Sequence, residues 1–216
     1  MTSVELTTGA VVALVAAGAF ALTNWLSVSV GRRRVEWVSK PTVMVMLIVA
    51  AVLLHPTNDA VRIWVVVGLV CSLSGDVFLM LPKERFVEGL ASFLLAHVAY
   101  IVAFFVAGVS ATGATIGVVI VVAGVGIIAR PIIRSVQENH PAFAVPVLAY
   151  ITIISVMVIV ACATANPWAI LGAMSFYASD GTLAWNKFVK PIRGGRFAIM
   201  STYHLAQFAI VLSLVR

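Results

Sequence analysis

Charged residues are scarce in this chain. Asp, Glu, Lys and Arg fill 10% of its 216 positions, against about a quarter in soluble domains. That shortage excludes a water-soluble globular domain. Cysteine is scarcer still: Cys71 and Cys162 both fall inside apolar runs and lack metal-ligand spacing. A disulfide framework and a cysteine-based metal site are set aside, and the two are read as small packing residues. No apolar segment alternates with polar residues along its length, as a membrane barrel strand must. No connection is long enough for a second domain, and there is no low-complexity tail. The opening stretch "MTSVELTTGA" has no basic region, and the positive cluster "GRRR" follows the first apolar run. A cleaved signal peptide has the reverse order, so this run is expected to stay in the membrane as an anchor.

What is abundant is hydrocarbon. Hydrophobic residues make up 62% of the chain, and the mean hydropathy is +1.11. A bilayer core of about 30 Å asks for roughly 20 apolar residues per helix. Eight runs answer: 9–30, 40–54, 61–81, 87–107, 112–129, 145–163, 167–186 and 197–215, the second short and reaching back towards Trp37. The expected fold is all-α, a polytopic membrane bundle of eight transmembrane helices forming one domain over 1–216. Of the 14 basic residues, only Arg62 and Arg216 fall outside the loops that follow runs one, three, five and seven. By the positive-inside rule those loops are cytoplasmic and both termini lie outside. The net charge of +6 is therefore a topology signal. Spread over short loops, it makes no nucleic-acid face.

Two carboxylates interrupt this apolar background. Asp76 in "SLSGDVFLML" and Asp180 in "FYASDGTLAW" are the acidic residues that lie deep within apolar runs. An ionisable group in hydrocarbon is costly and marks a functional site by default. Asp76 is seven residues from Lys83, Asp180 seven from Lys187, and Tyr203 seven from Arg196. At 1.5 Å per residue each lies about 10 Å in from the basic loops. Tyr150 enters from the same side, Lys40 marks the start of the second run, and His97 lies deeper. Five spans thus deliver polar side chains to one layer. Plain roles exist for each. Lys40 would snorkel, His97 and Gln207 would bond across helices, and Tyr100, Tyr150 and Tyr203 would pack or sit at the interface. Gly68 lies eight residues before Asp76, and Gly172 eight before Asp180. Both pairs lie in spans running the same way, as in two four-helix halves of like orientation.

Together "GLVCSLSGDVFLML…GLASFLLAHVAYIVAFF", "PVLAYI", "GAMSFYASDGTLAWNKF" and "STYHLAQF", with the Lys40-Pro41 pair, resemble the YhhN family of lysoplasmalogenase-like membrane proteins. The resemblance covers nearly the whole chain in family order. It implies cleavage of the vinyl-ether bond of a lysophospholipid into a fatty aldehyde and a glycerophospho-alcohol, without a cofactor or metal. It places the protein in a bacterial-type inner or plasma membrane, with the bilayer and a lysophospholipid as partners. The slow step of that reaction is proton transfer to the β-carbon. Two carboxyl groups sharing a proton would supply acid and base together, so Asp76 and Asp180 are the expected catalytic pair. Lys40, or an arginine of a basic loop, would hold the phosphate as a point charge. His97, Tyr100, Tyr150, Asn186, Tyr203 and Gln207 would position the glycerol and the attacking water. Two rivals are weighed beside it. A zinc hydrolase wants about three protein ligands, and only His97 and His204 lie inside spans. A proton-coupled carrier would also use intramembrane aspartates, but no span shows the mid-membrane Gly/Pro break of a carrier.

Overall fold

The computed structural model describes residues 7–81 and 85–215. The basic anchors Lys83 and Arg216 lie outside the described residues. The chain folds into α1 (Thr8–Ser29), α2 (Arg33–Leu53), α3 (Asp59–Met80), α4 (Phe86–Ala107), α5 (Ala111–Gly124), α6 (Arg130–Asn139), α7 (Ala144–Ala163), α8 (Pro167–Phe188) and α9 (Gly195–Leu212). A π turn, Val125–Ala129, joins α5 to α6 without a break, so these nine helices form eight rods, as the eight apolar runs predict. No strand occurs among the described residues. Seven rods are long and apolar enough to cross a membrane. The eighth, α8, is 22 residues long but carries Ser175, Ser179, Asp180, Thr182 and Asn186. The protein is an integral, multi-pass membrane protein.

Two boundaries differ from the sequence reading, each for a physical reason. α2 begins at Arg33, seven residues before position 40, because a charged first turn lowers the hydropathy without opposing the helix. The fifth rod continues through 130–139, where a connection is expected from sequence. There α6 turns Arg130, Arg134 and Glu138 outward and buries Ile132 and Val136. The apolar run stops at Ala129, and an amphipathic helix carries on.

Helix ends divide by side of the bundle. α1, α3, α5 and α8 begin on Thr7, Asn58, Ser110 and Asn166, whose side chains accept from backbone N–H groups of the first turn. Such caps satisfy donors that would otherwise be orphaned. α2, α4 and α9, which start at the opposite end, have no side-chain cap.

The packing repeats. α1 packs on α2, α2 on α3 and α3 on α4; likewise α5 packs on α7, α7 on α8 and α8 on α9. The halves then meet reciprocally, α4 against α7 and α9 against α2. In lipid such contacts rest on close packing and interhelical hydrogen bonds, with little hydrophobic drive. α1 accordingly lays Ala10, Ala13, Ala17 and Ala21 against the bundle. The two glycines of the repeat do matching work within the hairpins. A Cβ on Gly68 would sit 2.2 Å from the Tyr100 ring, and one on Gly172 would sit 2.7 Å from Ile210 Cγ1. Each lets α3 and α8 close on the helix that follows. A smaller second core of Ile132, Val136, Val147 and Phe188, backed by Phe86 and Phe143, fastens α6 over α7 and α8.

Candidate active site

Asp76 comes from the last two turns of α3 and is fully buried. Lys40 Nζ approaches its Oδ1 at 2.8 Å, and the Tyr203 hydroxyl donates to its Oδ2 at 2.7 Å. Both oxygens are therefore engaged. Lys40, expected to reach a substrate phosphate, instead points inward, 6% exposed and facing Asp76. It also lies 5.5 Å from the centre of the Tyr203 ring, a distance at which an ammonium is attracted by the π face. The cost of burying the cation is met by these partners, as a buried charge requires.

Asp180 comes from the equivalent part of α8, and its surroundings differ. The Tyr150 hydroxyl donates to Oδ2 at 2.6 Å, and His97 Nε2 lies 3.6 Å from the same oxygen. Oδ1 carries no hydrogen bond among the described residues. The side chain is 14% exposed, against 1% for Asp76. The exposed part faces a cavity.

The two groups are related by the repeat. Each aspartate takes one partner from the preceding helix of its own half, Lys40 on α2 or Tyr150 on α7. It takes the other from the last helix of the opposite half, Tyr203 on α9 or His97 on α4. The expected sharing of one proton between the carboxylates is replaced by two separate sets of partners. Phe176 connects them: its ring lies 5.0 Å from His97, 5.7 Å from Tyr203 and 6.0 Å from Tyr100, centre to centre. Aromatic contacts of this geometry hold rings in place beyond their area burial.

Deeper in the bundle Tyr100 donates to Gln207 Oε1 at 2.7 Å, across the halves. Tyr100 and Gln207 are thus joined to each other rather than exposed to a substrate. Asn186, expected to help position the substrate, accepts through Oδ1 from the backbone N–H of Ile192 at 2.7 Å and braces the α8–α9 turn. His204 accepts from Trp25 Nε1 through Nδ1 at 3.0 Å, a contact between the first and last helices that no local sequence pattern signals. With His97 at Asp180 and His204 at Trp25, no cluster of three His, Cys, Asp or Glu forms among the described residues.

The cavity beside Asp180 is lined by Leu79 of α3, by Phe86, Leu90 and Phe93 of α4, and by Ile128 and Ala129 of the π turn. Ile132 of α6, Val147, Tyr150, Ile151 and Ile154 of α7, and a face of α8 complete it. Asp180 is the one ionisable carboxyl group on this wall; the rest is hydrocarbon, rings and the Tyr150 and Tyr177 hydroxyls. Asp76 does not reach it. A carboxyl group at the side of an apolar slot can pass a proton to a hydrocarbon-tailed molecule while excluding bulk water. Sequence depth found the polar residues, but the slot is assembled from residues on five rods and leaves no local pattern.

The sequence model of the YhhN family matches residues 35–214. Lysoplasmalogenase TMEM86B of Homo sapiens is 36% identical over 152 residues, 69% of this chain and 62% of that protein. Lysoplasmalogenase TMEM86A of Bos taurus is 36% identical over 174 residues, 76% of this chain and 68% of that protein. The membrane protein YhhN of Escherichia coli O157:H7 is 35% identical over 89 residues, 40% of this chain and 42% of that protein. The chain thus spans a little under two thirds of the human relative's length. No solved structure matches it.

Proposed function

Because the chain belongs to the YhhN family, we propose that it is a lysoplasmalogenase-type hydrolase, cleaving the vinyl-ether bond of a lysophospholipid with Asp180 as the proton donor. The observation that carries this is the asymmetry between the aspartates. Asp76 has both oxygens committed, to Lys40 and to Tyr203. Asp180 is held through Oδ2 by Tyr150 and lines an apolar cavity.

The reaction asks for little more. The alkenyl chain occupies the cavity, and the proton of Asp180 moves to the β-carbon as the double bond opens. Positive charge then spreads over the α-carbon and the ether oxygen. The carboxylate just formed lies beside that charge and stabilises it, as in glycoside hydrolysis. Water adds to the α-carbon and returns a proton to Asp180. The resulting hemiacetal breaks its bond to the glycerol oxygen, releasing aldehyde and alcohol. General acid–base catalysis of this kind contributes about 10²–10⁴ in rate. Asp76 serves the same site at one remove. Its bond to Tyr203 fixes the ring on which Phe176 rests, and Phe176 in turn backs His97.

The test is a lipid panel with detergent-purified protein, reading fatty aldehyde. Release from 1-alkenyl lysophospholipids, and none from 1-alkyl or 1-acyl counterparts, is the expected result. Hydrolysis of the acyl lipids instead would replace the vinyl-ether reading with an esterase.

A further inference from the structure

The cavity beside Asp180 lies between two cores. Phe93 of α4 and Tyr150 and Ile154 of α7 belong to the main core, and Leu79, Leu90 and Tyr177 pack against it. The wall formed by Ile128, Ala129 and Ile132 stands apart from that core. Ile132 joins Val136 in the small core with Val147 of α7 and Phe188 of α8, so α6 covers the groove between those two helices. Two buried side chains fasten its 10 residues, helped by the Ser135 hydroxyl, which donates to the Phe188 carbonyl. Arg130, Arg134, Gln137, Glu138 and Asn139 face outward. The other half of the rod is locked. A Cβ on Gly113 would stand 2.4 Å from the Cys162 carbonyl oxygen, and one on Gly117 2.7 Å from Ile159 Cα. α5 therefore lies directly on the backbone of α7. Between the locked and the lightly held halves comes the π turn Val125–Ala129, a distortion frequent at functional sites. A Cβ on Gly126, inside that turn, would meet nothing within 4 Å. Ile128 rests on α8 beside Gly181, which puts the turn level with Asp180.

The ends of the cavity are closed by rings. Tyr177 stands at one, and Phe86 and Phe188 stand at the other. Those two meet edge to face with centres 5.8 Å apart, and Phe143 lies 5.7 Å from each. Resting on the reading of this cavity as the lipid site, we propose that α6 is its lid. Hinged at the π turn, α6 lifts from the groove between α7 and α8 and admits a lipid sideways from the bilayer. A lysophospholipid lies with its chain in hydrocarbon and its phosphate at the polar surface. Sideways entry keeps the phosphate beside the polar outer face of α6, so no charge crosses the apolar wall, where an unpaired ion is costly. Closure then shuts bulk water away from the acid, as lids over active sites do.

The experiment fastens the lid and then loosens it. Ser135→Cys and Val189→Cys, in a background with Cys71 and Cys162 replaced, are joined by a short bis-methanethiosulfonate linker that a reductant removes. Binding of tritiated 1-O-hexadecyl lysophospholipid, which lacks the vinyl ether, is followed by scintillation proximity. Linking should slow its association by about tenfold or more and lower aldehyde release from the 1-alkenyl lipid in parallel. Reductant should restore both. Val136→Ala, which trims the small core, should act the other way and speed association about threefold or more. A linked protein that binds lipid as fast as the reduced one would overturn the lid. If the double-cysteine variant does not fold, an association rate unmoved by Val136→Ala overturns it alone. The two readouts keep this proposal apart from the catalytic one. Binding slowed by the linker in a protein that releases no aldehyde upholds the lid and removes the hydrolase. Aldehyde release with binding indifferent to the linker does the reverse.

Discussion

Lys40 Nζ lies 2.8 Å from Asp76 Oδ1 in a place where the two side chains are 6% and 1% exposed. A buried pair of this kind contributes little over a well-packed apolar replacement, but removing one member strands the other charge. Lys40→Met and Asp76→Leu should therefore each destabilise the bundle by about 3–5 kcal/mol, and the double variant by much less than their sum. Thermal unfolding in detergent measures it. Additive losses would show that the two side chains act independently.

Asp180→Asn separates chemistry from stability. Asp180 is partnered by the Tyr150 hydroxyl and the His97 imidazole, with no lysine or arginine beside it, so an amide leaves no ammonium stranded as it would at Asp76. Aldehyde release should fall by about 10²–10⁴, while the melting temperature stays within a few degrees of wild type. Asp76→Asn should lose activity and stability together, since Lys40 is left without its counter-charge. Activity within about tenfold of wild type in Asp180→Asn would sink the assignment of the acid.

Tyr150→Phe isolates the hydrogen bond that fixes Asp180. The 2.6 Å contact to Oδ2 fixes the carboxyl group at the cavity wall. Its loss should cut kcat by about tenfold, roughly the 1–1.5 kcal/mol of one hydrogen bond, and leave KM nearly unchanged. A rise in KM without a fall in kcat would instead assign Tyr150 to substrate binding.

Much of the architecture was legible because the bilayer is a strict solvent. Backbone groups in hydrocarbon must be satisfied within the segment, so each long apolar run gave one helix. Asp76 and Asp180 were equally legible, since a carboxyl group in such a run needs a reason. The partners were harder. Lys40 looked like a snorkelling residue because sequence fixes its depth but not its rotation about α2, and rotation turned it inward. Asn186 lay beside Lys187 in the quoted motif, yet the backbone of Ile192 claimed its side chain. α6 was missed because its apolar residues, Ile132 and Val136, follow helical spacing while the window average is polar. Crossing between halves, which gives Tyr203 to Asp76 and His97 to Asp180, is a property of packing that no segment records alone.

Metal removal should leave the reaction intact. His97 faces Asp180, His204 accepts from Trp25, and the described residues gather no set of three donors. EDTA or dipicolinate at millimolar concentration should change aldehyde release by less than about twofold. Loss of stoichiometric zinc in parallel with activity would return the reaction to metal-bound water.

The last prediction concerns sidedness. Among the described residues every Lys and Arg but Arg62 lies towards one end of the bundle, and Asp180 lies seven residues, about 10 Å, from Lys187 at that end. By the positive-inside rule this face is expected to be cytoplasmic. On that orientation the cavity would open towards the inner leaflet, with α6 and its small core of Ile132, Val136, Val147 and Phe188 on its cytoplasmic side. The four side-chain-capped helix starts lie at the opposite end, where Asn58 is exposed. Single cysteines at Asn58, Arg134 and Arg193, in a background with Cys71 and Cys162 replaced, read the orientation directly. A membrane-impermeant maleimide on intact cells should label position 58 and spare 134 and 193; permeabilised cells should label all three. The reverse pattern on intact cells would turn the bundle over and place Asp180 near the outer leaflet.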